Sequence, residues 1–171
     1  MNVHSTIPCS RANGPGVNTV LWFQGCTHKC KGCSNPDTWD ASLQVRLATP
    51  YELLKEVHPE ATGITLTGGE PLQQSLVEVL LLVTGARNRG LNVTLFSGYT
   101  VEEINASPIK TEIVNNCTTA VLGRFRKDLP CTEPLKGSAN QVVIGNTEGV
   151  ADAEIHLDLD TGLMVITGVH R

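Results

Sequence analysis

Apolar positions along this chain gather into short runs rich in β-branched residues, with longer stretches of helical spacing between them. Residues 18–24, Asn-Thr-Val-Leu-Trp-Phe-Gln, read as a strand, as do Gly63–Thr67 and Leu91–Phe96. Between the first two, Thr49-Pro-Tyr-Glu52 has the form of an N-cap followed by proline at the first helical position, which predicts a helix to about Val57. After Gly68-Gly69, Pro71 opens a longer pattern with Leu72, Leu76, Val79, Leu80 and Val83 on one face, a helix ending near Arg89-Gly90. A short helix is expected from about Thr100. Thr118–Leu122 and Gln141–Ile144 are weaker strand patterns, and Glu154–Asp158 and Leu163–Thr167 flank Asp160-Thr-Gly162, a β-hairpin signal.

Alternating strands and helices predict an α/β fold with a mainly parallel sheet, whose chemistry sits in the loops at the strands' C-terminal ends. A complete eight-fold barrel takes about 250 residues. At 171 residues the expectation is a partial, open (β/α) barrel with a C-terminal β-hairpin, one domain over 1–171 with 148–171 as an extension. An open side admits a large substrate such as another protein. Composition adds little: the hydrophobic share of 40% is that of a globular protein. A net charge of -4 argues against an electrostatic nucleic-acid binder. The longest apolar run, Val77–Val83 with Glu78 inside it, is too short to cross a bilayer.

The chemistry is concentrated in Cys26, Cys30 and Cys33, a Cys-x3-Cys-x2-Cys run just after the first strand. Nothing at the N-terminus reads as a secretory signal, so a cytoplasmic, reducing setting is expected, where clustered cysteines signify metal or catalysis rather than disulfides. Structural zinc is the stronger rival, with His28 as a fourth ligand. Zinc ligands, however, usually come as two separated pairs, and no second Cys-x2-Cys or His-x3-His pair follows. A 4Fe-4S cluster held by three cysteines leaves one iron free to bind a substrate, and that reading is preferred. One strand later, Gly68-Gly69-Glu70 combines glycines that let the backbone approach a ligand with a carboxylate able to receive an ammonium group. Ser97 and Gly98 end the next strand and are placed at the same face, with a plain capping turn as the alternative. Cys9, Cys117 and Cys131 show no ligand spacing. Trp22 and Phe23 read as core, and Trp39 as a shield beside the cysteine loop.

The cysteine spacing, followed by Gly-Gly-Glu, resembles that of radical S-adenosylmethionine (radical SAM) enzymes. Within that group, Asn13-Gly-Pro-Gly16, the run from Cys26 to Trp39, Thr67–Pro71, Phe96–Thr100, Gly123-Arg-Phe125 and Gly137–Gln141 together resemble the activating proteins of anaerobic (class III) ribonucleotide reductase. The resemblance implies that Cys26, Cys30 and Cys33 ligate a 4Fe-4S cluster, and that Gly32, Cys33, Ser34, Gly68, Gly69 and Glu70 lie against S-adenosylmethionine. It implies a 5′-deoxyadenosyl radical that abstracts hydrogen from a glycine of a glycyl-radical reductase, with cluster and cosubstrate, not a side chain, carrying the chemistry. A reduced flavodoxin or ferredoxin type donor is then expected, and neither nucleic acid nor membrane. The chain departs from the family pattern at Leu122, where many members have aspartate, and in the residues after the Ser-Ala-Asn-Gln segment. The alternatives are a radical SAM enzyme acting on a small molecule or peptide, with its lid from the segment around Glu154–Thr167, and a zinc- or cluster-binding module without turnover.

Overall fold

The computed structural model describes residues 1–157 and 164–168. Its centre is a six-stranded sheet in the order β1-β2-β3-β4-β5-β6. Strands β2 (Asn18–Phe23), β3 (Gly63–Gly68), β4 (Asn92–Ser97) and β5 (Thr119–Leu122) run parallel, while β1 (Val3–Ser10) and β6 (Val142–Gly145) are antiparallel edges. Strand β1 was not expected from the pattern. Its Pro8 and alternating polar residues suit an edge, where a missing amide costs nothing.

The parallel strands lie in sequence order, and right-handed crossovers then place every helix on one face. That face holds the core. Leu21, Phe23, Ile64, Leu66, Val93, Leu95, Ala120 and Leu122 pack there with Leu53 of α1 (Pro50–Lys55), with Val79, Leu82, Val83 and Ala86 of α2 (Leu76–Asn88), and with Ile104 and Ile113. Each fully buried side chain of this size contributes about 1.5–3 kcal/mol. Ile104 lies on α3 (Val101–Asn105) and Ile113 on α4 (Pro108–Asn115). Helix α4, opened by proline at its first position, is the other element missing from the expectation.

The helix expected to run unbroken from Pro71 is instead a 3-10 turn at Pro71–Gln73, then an extended Gln74, then α2. The Glu70 carboxylate accepts from the Leu72 amide and so caps that turn, and the extended Gln74 then separates it from α2. Helices α1 and α3 start as the sequence suggests, each in a capping box, Thr49 with Glu52 and Thr100 with Glu103.

On the opposite face Val20, Thr65, Thr94 and Thr119 stand side by side in register. The loop Asn13–Gly16 closes the end of that face where β2 begins. Thr65 Oγ1 donates to Asn13 O, and Gly14 leaves room for Thr94, whose Oγ1 a Cβ would meet at 2.5 Å. Strands β7 (Ala153–Leu157) and β8 (Met164–Gly168) pair antiparallel as a separate two-stranded sheet. The expected turn Asp160-Thr-Gly162 lies outside the described residues. Among the described residues no helix is long and apolar enough to cross a membrane.

Candidate active site

Four loops leave the same edge of the sheet, the C-terminal end of β2, β3, β4 and β5. They carry the cysteine run Cys26–Cys33, Gly68-Gly69-Glu70 and Ser97-Gly98. Cys26 is 9% exposed, and Cys30 and Cys33 are half-buried. Cys26 is fixed by its own amide, which donates to Trp39 O at 3.1 Å, and Cys33 by its amide to Cys30 O at 3.0 Å.

Main-chain amides point at the sulfurs: those of His28 and Lys29 at Cys26, that of Phe125 at Cys30, and that of Asn35 at Cys33, at 3.4 Å. Lys29 takes up the left-handed conformation (φ 46°) while directing its amide there. Burial nevertheless pushes the Cys26 and Cys30 thiols above their usual range, so binding iron must displace protons. Sulfurs ringed by amide donors suit an electron-rich cluster. Among the described residues no three His, Cys, Asp or Glu side chains converge as a single ion requires. A cubane makes a different demand, since each cysteine binds its own iron.

The loop after β3 explains why glycine stands at 68. Its φ is 96°, and a Cβ would come within 2.6 Å of the Phe23 amide nitrogen, so this loop and β2 touch backbone to backbone. Glu70 is 1% exposed. Burying a carboxylate costs several kcal/mol unless donors surround it. Three do: Leu72 N at 2.9 Å and Ser97 Oγ at 2.9 Å on Oε1, and Gly98 N at 2.7 Å on Oε2. Ser97 and Gly98 therefore enter the site as partners of Glu70, a link that spacing alone does not reveal. Across the cysteine loop, Gln73 receives the Thr27 amide at 2.9 Å and donates to Thr27 Oγ1 at 2.8 Å.

The segment after β5 adds Arg124 and Lys127 to this edge. Arg124 forms a two-pronged pair with Glu103, both contacts 2.8 Å, which holds the Glu103 carboxyl down at about 2. Lys127 lies along Gly32, and a cavity of about 540 Å³ opens beside them between Lys31 and the segment Phe125–Asp128. The signal for this wall was the Gly-Arg-Phe segment itself, whose place at a strand end was readable although its contact with the cysteines was not. Leu122, at the position of a frequent family aspartate, is 1% exposed and belongs to the helix-side core. Cys117 and Cys131 stand apart, the first donating to Ile113 O at 3.2 Å and the second beside Glu133. Trp39 is half-buried, and its indole nitrogen has no hydrogen-bond partner.

Residues 12–144 match the family model of the 4Fe-4S single cluster domain. The chain is 35% identical over 156 residues to the anaerobic ribonucleoside-triphosphate reductase-activating protein of Enterobacteria phage T4, covering 88% of this chain and 97% of that one. It belongs to this family of activating proteins. The protein of the same name from Escherichia coli K12 is 33% identical over 152 residues, with 84% of this chain and 97% of that one covered, and that from Vibrio cholerae is 33% identical over 153 residues, with the same shares covered. The solved structure of QueE from Escherichia coli matches at a TM-score of 0.48 and 15% identity, over 68% of this chain and 67% of that one. The residues of an activating protein's cluster domain thus end near β6. Strands β7 and β8 lie beyond the matched domain, and Glu154 fastens them to the β1 end of the sheet by accepting from Ser10 Oγ at 2.6 Å and from the Arg11 and Ala12 amides.

Proposed function

We propose that this chain activates an anaerobic ribonucleoside-triphosphate reductase, holding a 4Fe-4S cluster on Cys26, Cys30 and Cys33 and S-adenosylmethionine against Gly32, Cys33, Ser34, Gly68, Gly69, Glu70, Ser97 and Gly98. When bound and reduced, the cluster supplies the electron that splits S-adenosylmethionine into methionine and a 5′-deoxyadenosyl radical, which takes a hydrogen atom from a glycine of the reductase. The chain's own residues bind, orient and exclude water. The amide donors around the cysteines balance the negative charge of a thiolate-bound cluster, and the glycines of the β3 loop let the cosubstrate approach the backbone. The sheet is read as a partial (β/α) barrel, one domain with 148–171 as an extension that includes the β-hairpin, in a cytoplasmic protein reduced by a flavodoxin or ferredoxin type donor.

The observation that carries this reading is the meeting of the three cysteines with Glu70, Ser97 and Gly98 at one edge of the sheet, within a chain of this family. A small-molecule enzyme of the same fold would take its lid from the segment around Glu154–Thr167. Glu154 is bound instead to Ser10, Arg11 and Ala12, next to the start of β2, and the length of β2, about 17 Å, separates that anchor from the cysteine loop. A protein substrate closing the open side fits better. The test is anaerobic reconstitution followed by reduction with S-adenosylmethionine and a candidate reductase. A glycyl radical signal on the reductase is the expected result. Formation of 5′-deoxyadenosine only with a small metabolite, and no radical on any reductase, would overturn the assignment.

A further inference from the structure

His28 sits between two candidate cluster cysteines, yet its side chain turns inward against the loops after β3 and β4. That side chain is only 7% exposed. The ring stands edge-on to Tyr99 with centroids 4.9 Å apart, and it fills space that Gly98 leaves free, where a Cβ would meet His28 Cδ2 at 2.5 Å. Its Nε2 is buried without a hydrogen-bond partner and lies 3.5 Å from Oε2 of Glu70. The carboxylate has a matching vacancy. An ionised carboxylate offers about four acceptor directions. The Leu72 amide and Ser97 hydroxyl take two at Oε1, and the Gly98 amide takes one at Oε2. The direction left over is on the oxygen that His28 faces. A buried donor and a buried acceptor therefore stand a small movement apart, and a buried polar group left unpaired costs roughly 1–3 kcal/mol.

We infer that His28 is a positioning residue whose Nε2–H closes on the remaining acceptor direction of Glu70 and locks the cysteine loop to the loops that line the cosubstrate. The contact itself stands on geometry; its consequence for S-adenosylmethionine rests on the proposed function. A cluster iron and the amino-acid end of a cosubstrate must share one geometry, but the cysteines belong to one loop and Glu70, Ser97 and Gly98 to two others. The exposed pair of Gln73 and Thr27 also crosses between the first two loops. His28 is the buried side chain that reaches Glu70 and Gly98 together.

Two full-length variants separate a donor from a filler. His28→Gln keeps a side-chain amide able to reach the same oxygen, whereas His28→Leu fills the space and donates nothing. In cluster-free protein, hydrogen exchange at the Gly98 amide reads the clamp without any cofactor. Leucine should speed that exchange by about tenfold, and glutamine should keep it within about threefold of the parent. After reconstitution both variants should hold the parent's iron content. The leucine variant should then bind S-adenosylmethionine about tenfold more weakly, equivalent to about 1.4 kcal/mol, and lose most of the change that S-adenosylmethionine causes in the reduced protein's electron paramagnetic resonance spectrum. Glutamine should preserve both. Leucine behaving as the parent in exchange and affinity, or glutamine failing as leucine does, overturns the inference. A parent protein that takes up no cluster would defeat the proposed function instead, and the exchange comparison would still decide for or against the His28 contact.

Discussion

Glu70 and Glu154 are held by nearly the same donors at opposite ends of the sheet. Glu70 takes Ser97 Oγ and the amides of Leu72 and Gly98; Glu154 takes Ser10 Oγ and the amides of Arg11 and Ala12. What differs is the surroundings. Glu70 is 1% exposed and joins two loops within the matched domain, while the Glu154 side chain is 23% exposed and fastens strands that lie beyond it. The same hydrogen-bond chemistry can build a reaction site or dock an extension. Burial and the company of cysteines decide which, so the two ends should respond very differently to the same kind of change.

The largest difference is expected among the cysteines. Changing Cys26, Cys30 or Cys33 to Ala should abolish iron uptake and S-adenosylmethionine cleavage, read by iron analysis and 5′-deoxyadenosine formation. Cys9, Cys117 and Cys131 should tolerate the same change with iron content intact. Burial pushes the Cys117 thiol up to about 12, so it should also resist alkylation at neutral pH in folded protein. A loss of iron from Cys9→Ala, near the other end of the sheet, would erase the contrast between the two ends.

The two carboxylates themselves give the next comparison. Glu70→Gln puts an amide donor among three donors, and the mismatch in a dry site should cost about 1–3 kcal/mol of stability as well as cosubstrate affinity. Glu154→Gln leaves a partly exposed group that water can serve, with an expected cost below about 1 kcal/mol and no change in iron or cosubstrate binding. Denaturant unfolding of the two variants side by side measures this. Equal losses would mean that burial is not what separates the two sites.

How far this contrast could be read from the sequence depended on the range of the interactions. Local signals were legible: the caps at Thr49 and Thr100, the β-branched strands and the cysteine spacing all involve neighbours a few residues apart. Strand β1 was missed because its pairing with β2 is what makes it a strand, and its own residues, with Pro8 among them, carry a weak pattern. The break between Pro71 and α2 was missed because the apolar spacing of Leu72, Leu76, Val79 and Val83 runs straight through it and does not register the extended Gln74. Likewise, His28 could be weighed only as a zinc ligand. Its partners, Glu70 and Gly98, lie one and two βα units along the chain, and spacing says nothing about which side chains turn inward.

Gly98→Ala tests that long-range packing directly. The new methyl would overlap the His28 ring, so a loss of about 1–3 kcal/mol is expected from overpacking. In a His28→Ala background the space is free and most of that cost should vanish, which a double-mutant cycle on unfolding free energies would reveal as coupling. Additive losses would place the strain elsewhere.

The smallest effect concerns a third carboxylate, Glu103, which sits near the Glu70 end but is exposed and paired with the Arg124 guanidinium. Its carboxyl is held down at about 2 from an ordinary 4.5, chiefly by the hydrogen bonds from Arg124 and then by the Thr100 amide. Because the folded-state value is depressed, the pair contributes stability above about pH 4.5 and loses it as pH falls toward about 2. Arg124→Met should therefore flatten the stability profile between those limits while leaving the profile above pH 5 parallel to the parent's. Solvent screening makes the effect weak, and added salt should shrink it further. If salt leaves the acid limb unchanged, the pair is behaving as a buried group like Glu70, and exposure would no longer distinguish the carboxylates of this molecule.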